Sequence, residues 1–214
     1  ILAIIFFVFA VYLFTGIFGN NLWAINAMIP PKSEQSFNIG STTVVSVDQE
    51  DTENYCGPGK YSEMFEFPYG IKGYFNYEDG VNCAIAKNKP IFLDFTGHTC
   101  SNCKQMESQV WSDPEVQKRL KEDYVIISLY TDDKTKLPED QWVTRTDGKV
   151  LKTIGEINKY FEIDHFGTIA TPLYVLTDAK GNLLTEPKTK DLNVESYLEF
   201  LDKGLENFDA ESAK

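Results

Sequence analysis

Two cysteines separated by two residues, Cys100 and Cys103, are the part of the sequence best suited to chemistry. They follow an apolar run at residues 92–95 and a turn at Gly97, and we predict a helix over residues 104–111. The N–H groups and the dipole at a helix start stabilise a thiolate, so Cys100 is the predicted nucleophile. Cys103 falls on the same helical face, where it can close a small disulfide ring. The pattern predicts thiol–disulfide exchange, in which one thiolate attacks a partner disulfide and the second thiol resolves the mixed disulfide.

Other interpretations of this cysteine pair remain open at the level of sequence. A structural zinc site takes four ligands, whereas the sequence has no second Cys-x-x-Cys and only His98 and His165 as histidines. We therefore expect no metal and no cofactor, and keep a structural disulfide or a metallochaperone as alternatives. Two interpretations of His98 are open: it can tune the reactivity of Cys100, or it can be an exposed loop residue.

Asp94 interrupts the apolar run that leads to the cysteines. A buried carboxylate is costly unless it is paired or protonated, and buried carboxyl groups with a raised pKa are candidates for a functional role. The alternative is an acid at a strand end that bonds to the backbone. We favour the functional interpretation and add Asp94 to the predicted catalytic residues.

The elements around these residues follow from apolar periodicity and from capping signals. Helices are predicted over residues 77–87, 104–111, 114–122 and 154–161 and after Asn193, and strands over residues 90–95, 124–131, 173–177 and 183–186. Residues 132–147 are polar and charged, and we interpret them as a loop or insertion. The order predicts an α/β fold with a mixed central sheet flanked by helices.

Composition limits the classes of partner. The 214-residue chain carries 20 basic and 32 acidic residues, a net charge of −12, which argues against nucleic acid or an anionic membrane surface as the main partner. Two further cysteines, Cys56 and Cys83, either form a bridge or leave Cys83 as a small core residue, and the sequence does not choose between these.

The N-terminal residues predict a membrane anchor. Residues 1–18 contain no charged side chain and are almost wholly apolar, as a membrane-spanning helix would be. A cleaved signal peptide and a buried core helix are the rival interpretations. Since the chain starts with Ile1, we expect it to be part of a longer or processed protein. The predicted domains are a transmembrane helix with its interfacial end over 1–29, an extracytoplasmic linker over 30–73 and a folded domain over 74–214.

The folded region resembles a known family. Residues 74–208 are similar to a thioredoxin-fold domain, and more closely to the C-terminal periplasmic domain of the thiol:disulfide interchange protein DsbD family. The residues that carry the resemblance are Lys89-Pro90-Ile91-Phe92-Leu93-Asp94-Phe95, the Cys100-x-x-Cys103-Lys104 motif, Trp111-Ser112-Asp113-Pro114-Glu115-Val116 and Thr171-Pro172.

The resemblance implies roles for individual residues. Asp94 matches the acid that lies beneath the dithiol and assists proton transfer to or from the second cysteine, here Cys103. Thr171 and Pro172 match the Thr–cis-Pro pair that faces the active site and presents backbone groups to a partner chain. A trans Pro opening a strand is the alternative for Pro172. The sequence has His98-Thr99 where thioredoxins proper usually carry a Trp before the first cysteine, which argues against a cytosolic thioredoxin role.

The resemblance also implies a function. In the DsbD family a membrane-embedded dithiol domain of the same longer chain passes electrons to this domain, which reduces thioredoxin-like periplasmic proteins and serves cytochrome c biogenesis. The expectation is a membrane-tethered protein-disulfide reductase at the inner membrane, with its redox domain on the periplasmic side. A thiol oxidase or isomerase of the same fold and a non-redox binding module are the alternative functions.

Overall fold

The computed structural model describes residues 2–17 and 54–212. The helices are α1 (Leu2–Ile17), α2 (Tyr77–Lys87), α3 (Ser101–Gln109), α4 (Pro114–Glu122), α5 (Ile154–Phe166) and α6 (Val194–Ser212). The strands are β1 (Ile91–Thr96), β2 (Val125–Tyr130), β3 (Val143–Thr144), β4 (Val150–Leu151) and β5 (Leu173–Thr177), and short 3-10 turns occupy Pro68–Gly70 and Glu139–Gln141.

The central sheet has the order β2-β1-β5, with β1 parallel to β2 and antiparallel to β5. Single-residue bridges extend it on both sides: Tyr74 pairs with Ile127 beyond β2, and Leu183 pairs with Thr177 beyond β5. Of the strand predicted over 183–186, only the single bridge at Leu183 is therefore present. The mixed sheet flanked by helices agrees with the predicted α/β class.

Alternate residues of β1 face opposite sides of the sheet, and each side carries its own core. Phe92 belongs to a core cluster that includes Met106 of α3, whereas Leu93 belongs to a second cluster that includes Ala84 of α2. Since Asp94 is two residues after Phe92, it faces the same side as α3. The strand thus delivers a carboxyl group to the side of the sheet that carries the cysteine helix.

Caps set the ends of the helices next to the site. Asp113 accepts hydrogen bonds from the backbone N–H groups of Glu115 and Val116, at 2.9 and 3.3 Å, and Pro114 occupies the first turn of α4. Helix α5 begins with a capping box and continues to Phe166, beyond the predicted end at residue 161, because its end is set by Gly167 in the left-handed conformation (φ 66°).

Residues 54–76 pack against the domain. Phe65, Phe67 and Ile71 are buried in the core on the α3 side of the sheet, and a disulfide joins Cys56 to Cys83 of α2. The bridge that the sequence left open is therefore present. The part of the predicted linker over residues 30–53 lies outside the described residues, and the domain boundary at residue 74 stays a prediction.

The prediction of a membrane anchor is wrong. The described part of helix α1 comprises 16 residues, whereas a membrane-spanning helix needs about 20. Among the described residues there is no helix of sufficient length and apolar character to span a bilayer. The predicted inner-membrane localisation depended on this anchor and is therefore also wrong. The remainder of the proposed anchor, residues 18–29, lies outside the described residues.

Candidate functional site

Cys100 and Cys103 are joined by a disulfide at the start of α3, with their Cα atoms 5.3 Å apart. Cys100 is the N-cap residue, with extended backbone angles (φ −77°, ψ 95°), and its Sγ accepts a hydrogen bond from the backbone N–H of Cys103 at 3.1 Å. Cys100 is half-buried, whereas Cys103 is only 2 % exposed. A partner can therefore reach the first sulfur, and the second lies behind it.

The turn before Cys100 is held by one carboxylate. The backbone N–H of Cys100 donates to the carbonyl of Gly97 at 3.2 Å, which closes a four-residue turn. Asp132 accepts from the backbone N–H groups of His98 and Thr99, at 2.8 and 3.0 Å, and from Thr99 Oγ1 at 2.8 Å. A Cβ at Gly97 would lie 3.0 Å from this carboxylate, so glycine permits the close approach. Asp132 thus fixes the turn that carries the nucleophile.

His98 is engaged beside the turn. Its Nε2 hydrogen-bonds Asp133 Oδ2 at 2.8 Å, and its ring lies 4.5 Å from that of Tyr130 and 5.7 Å from that of Phe65. Burial alone would raise the pKa of Asp133, but hydrogen bonds from His98 and Thr135 hold that pKa below its usual value. His98 side chain is 45 % exposed, so it is a surface residue with a fixed partner.

Asp94 is 5 % exposed and accepts a hydrogen bond from Ser128 Oγ at 2.7 Å. Burial raises its pKa to about 7, the Ser128 hydrogen bond opposes this rise, and the nearby Glu107 adds to it. The carboxyl group therefore titrates near neutral pH on the side of the sheet that carries α3. A carboxyl group with such a pKa can both accept and release a proton near neutral pH.

Sequence reasoning missed a second buried acid, Glu107. It is one turn after Cys103 on the inward face of α3, and burial raises its pKa. Lys104 Nζ pairs with Glu107 Oε2 at 3.0 Å, so this acid has an oppositely charged partner on its own helix. The four-residue spacing from Cys103 was the signal that could have found Glu107.

The peptide bond between Thr171 and Pro172 is cis, as the family resemblance implied. Pro172 is buried and Thr171 is half-buried, directly before β5. The backbone N–H of Ala170 donates to Glu162 Oε1 of α5 at 2.7 Å. The described residues contain no group of three or more His, Cys, Asp or Glu side chains arranged to hold a metal ion.

The sequence model of a family described as thioredoxin-like domain matches residues 77–189, more than half of the chain. The chain belongs to the thioredoxin-like domain family. The matched region of this thioredoxin-like protein includes α2, both cysteines of the Cys-x-x-Cys motif, Asp94 and the cis proline. A search of curated proteins finds no match.

Solved structures with a similar fold include three redox proteins. The DsbH oxidoreductase is 17 % identical, with a TM-score of 0.47, 71 % of this chain covered and 95 % of that chain. The oxidised C-terminal domain of Neisseria meningitidis DsbD is 16 % identical, with a TM-score of 0.43 and coverages of 62 % and 99 %. A thioredoxin from Thermus thermophilus is 18 % identical, with a TM-score of 0.42 and coverages of 62 % and 86 %.

The geometry of this thioredoxin-like domain defines its chemistry. A half-buried cysteine at a helix N-terminus, disulfide-bonded to a buried cysteine three residues later, is the arrangement of a thiol–disulfide oxidoreductase. In fold and in its dithiol pair, the protein is thiol–disulfide oxidoreductase-like. The catalytic roles assigned to Cys100, Cys103, Asp94, Thr171 and Pro172 remain predictions.

Proposed function

We propose that this protein is a protein-disulfide reductase that cycles between the Cys100–Cys103 disulfide and the free dithiol. The observation that carries the proposal is the accessibility of Cys100 at the start of α3, with Cys103 buried directly behind it. A thiolate at Cys100 would gain from the helix N-terminus and from the N–H of Cys103, which already donates to its sulfur.

The reaction transfers two electrons and two protons to the partner. The Cys100 thiolate attacks one sulfur of the partner disulfide, that S–S bond breaks, and the departing partner sulfur takes up a proton. Cys103 then loses its proton and attacks Cys100 Sγ. The mixed disulfide breaks, the second partner sulfur leaves as a thiolate and is protonated, and the Cys100–Cys103 disulfide is formed.

Asp94 is the proposed acceptor of the Cys103 proton. It faces the α3 side of the sheet, and it interacts electrostatically with Glu107 and Lys104 on that helix. Because its pKa of about 7 is close to neutral, it can both accept and release a proton during the cycle. Glu107 and Lys104 would then influence the proton transfer through the charge that they place beside Asp94.

The direction of electron flow comes from the resemblance to the DsbD family. On that basis the electron donor is a dithiol of a partner domain, and the acceptors are disulfides of thioredoxin-like proteins. The loop that ends in Thr171 and the cis Pro172 would present its backbone to an extended segment of the acceptor, as one added strand.

Trapping with Cys103→Ser tests the proposal. Without the resolving thiol, the mixed disulfide on Cys100 should accumulate and identify the partner by mass spectrometry, whereas Cys100→Ser should trap nothing. The reduction potential decides the direction: a value below about −200 mV supports a reductase, and one near −120 mV supports an oxidase. If Cys103→Ser forms no mixed disulfide with any disulfide-containing protein, the proposed redox function is wrong.

A further inference from the structure

Glu162 of α5 is a fully buried acid that the mechanism above does not use. Its exposed fraction is 0 %, and its Oε1 accepts a hydrogen bond from the backbone N–H of Ala170 at 2.7 Å. Its other oxygen, Oε2, is buried and has no hydrogen-bond partner among the described residues. Burying a polar atom without a hydrogen bond lowers the stability of the fold, so we expect Glu162 to have a role that offsets this cost.

The loop that Glu162 holds is the one that leads into the cis proline. Residues 167–171 connect the end of α5 to β5 and have no regular secondary structure. Gly167 donates to Ile163 as the helix cap. Within the described part of the chain, residues 168–171 make one hydrogen bond, from the backbone N–H of Ala170 to Glu162.

The loop is also open to a partner. Ile169 is 60 % exposed, and Thr171 is half-buried immediately before Pro172. The described contacts of this loop converge on Ala170, which packs against the core cluster that includes Leu93 and hydrogen-bonds Glu162. The place of Ile169 and of the Thr171 backbone therefore depends on the contact between Glu162 and Ala170.

We propose that Glu162 is a positioning residue that holds the 168–171 loop in the conformation that binds an extended polypeptide segment beside the partner disulfide. This inference rests on the proposed reductase function. The functional atom is the hydrogen-bond acceptor Oε1, not the negative charge of the side chain. A glutamine can supply the same acceptor, whereas an apolar side chain of similar shape leaves the Ala170 N–H unpaired.

The test compares Glu162→Gln with Glu162→Met in the full chain. Insulin serves as the polypeptide disulfide, with dithiothreitol as the electron source, and 5,5′-dithiobis(2-nitrobenzoic acid) as a small disulfide that lacks a peptide segment. Asp164→Asn, which changes an exposed acid of the same helix, is the matched control. We expect Glu162→Met to raise KM for insulin about three- to tenfold, the loss of one hydrogen bond, with kcat and the reaction with the small disulfide within about twofold of wild type.

Glu162→Gln and Asp164→Asn should both retain the wild-type KM for insulin. The inference is overturned if Glu162→Met leaves this KM unchanged, if it slows both disulfides equally, or if Glu162→Gln fails to restore the wild-type KM. A wild-type chain that reduces neither disulfide would instead overturn the reductase proposal itself, so the two failures are distinct.

Discussion

The two disulfides of this protein each pair an accessible cysteine with a buried one, but they differ in loop length and in surroundings. Each joins a more accessible cysteine, Cys100 or Cys56, to a cysteine that is 2 % exposed, Cys103 or Cys83. Their sequence separations are 3 and 27 residues. On a chain-entropy estimate, closing the longer loop stabilises the folded state by about 3.5 kcal/mol, against about 1.5 kcal/mol for the shorter one. The first bridge is suited to exchange, and the second is suited to anchoring.

The surroundings of the buried sulfurs support the same distinction. Cys103 lies in the first turn of a helix, on the side of the sheet that also carries Asp94. Cys83 lies in the middle of α2, within an apolar cluster that includes Tyr74, Ala84 and Ile91. A thiolate at Cys83 would lie in apolar surroundings, with no helix N-terminus to stabilise its negative charge. A shared bond type therefore says little about function until the environment of each sulfur is known.

The largest expected effect is the loss of activity on changing Cys100. Cys100→Ser should reduce insulin reduction by at least about a thousandfold, because the attacking thiolate is removed. The free energy of unfolding should change by less than about 2 kcal/mol, since the three-residue loop contributes little. Turnover assays and chemical denaturation measure the two quantities. Residual activity within tenfold of wild type would show that another cysteine is the nucleophile.

The second bridge should give the opposite result. The double change Cys56→Ser and Cys83→Ser should lower the free energy of unfolding by about 3–4 kcal/mol, because a long closed loop is opened. Activity per folded molecule should stay within a few-fold of wild type. Urea denaturation with and without the double change measures the effect. If activity falls by more than tenfold while the protein remains folded, the bridge has a part in the chemistry.

Asp94→Asn should slow exchange at neutral pH by about ten- to a hundredfold, because the proton carrier for Cys103 is lost. The wild-type rate should depend on a group that titrates near pH 7, and this dependence should disappear in the variant. A pH profile of insulin reduction from pH 5 to 9 is the measurement. Identical profiles for the two proteins would remove the proposed role of Asp94.

The same substitution should change how stability depends on pH. Asp94 binds its proton more tightly in the folded state than in the unfolded state, with the pKa raised from 3.8 to about 7. The stability of the wild type should therefore fall as pH rises through this interval, with a contribution from the raised pKa of Glu107 in the same direction. Asp94→Asn should flatten the decline, as thermal unfolding at pH 4, 6 and 8 would show. An unchanged slope would mean that Asp94 is solvated.

The smallest expected effect concerns selective reduction. Dithiothreitol should open the Cys100–Cys103 bridge at roughly one tenth of the concentration that opens Cys56–Cys83, a difference of about 1.4 kcal/mol. The packed residues 54–76 keep Cys56 beside Cys83 and favour reclosure. Differential alkylation followed by peptide mapping separates the two bridges. Simultaneous opening would show that the comparison between an exchanging and an anchoring disulfide is mistaken.

Local signals made much of the fold predictable. The helix over residues 77–87 and the strand over 173–177 match the structure at both ends, because a proline after the helix and a compact apolar run define them. The Cys-x-x-Cys motif placed Cys100 at the start of a helix correctly. These features depend on residues close together in the sequence, so local patterns are sufficient to predict them.

Contacts made across the fold were not predictable in the same way. Asp132 reaches the turn before Cys100 from the end of β2, and Tyr69 donates its hydroxyl to the carbonyl of Glu107 at 3.0 Å. Glu162 is an acid in a helix, where acids usually face solvent, so its burial became evident only from the packing. The membrane anchor was predicted from apolar composition alone, and the described residues contain no helix long and apolar enough to span a bilayer.

The packing of residues 54–76 implies that the independently folding unit is larger than the family's common region. Phe65 lies against the rings of His98 and Tyr130, and Tyr69 is bonded to the backbone of α3. A fragment trimmed to begin at residue 77 would uncover an aromatic face beside the reactive turn. In this protein, the wall of the redox centre is contributed partly by sequence that the shared domain does not include.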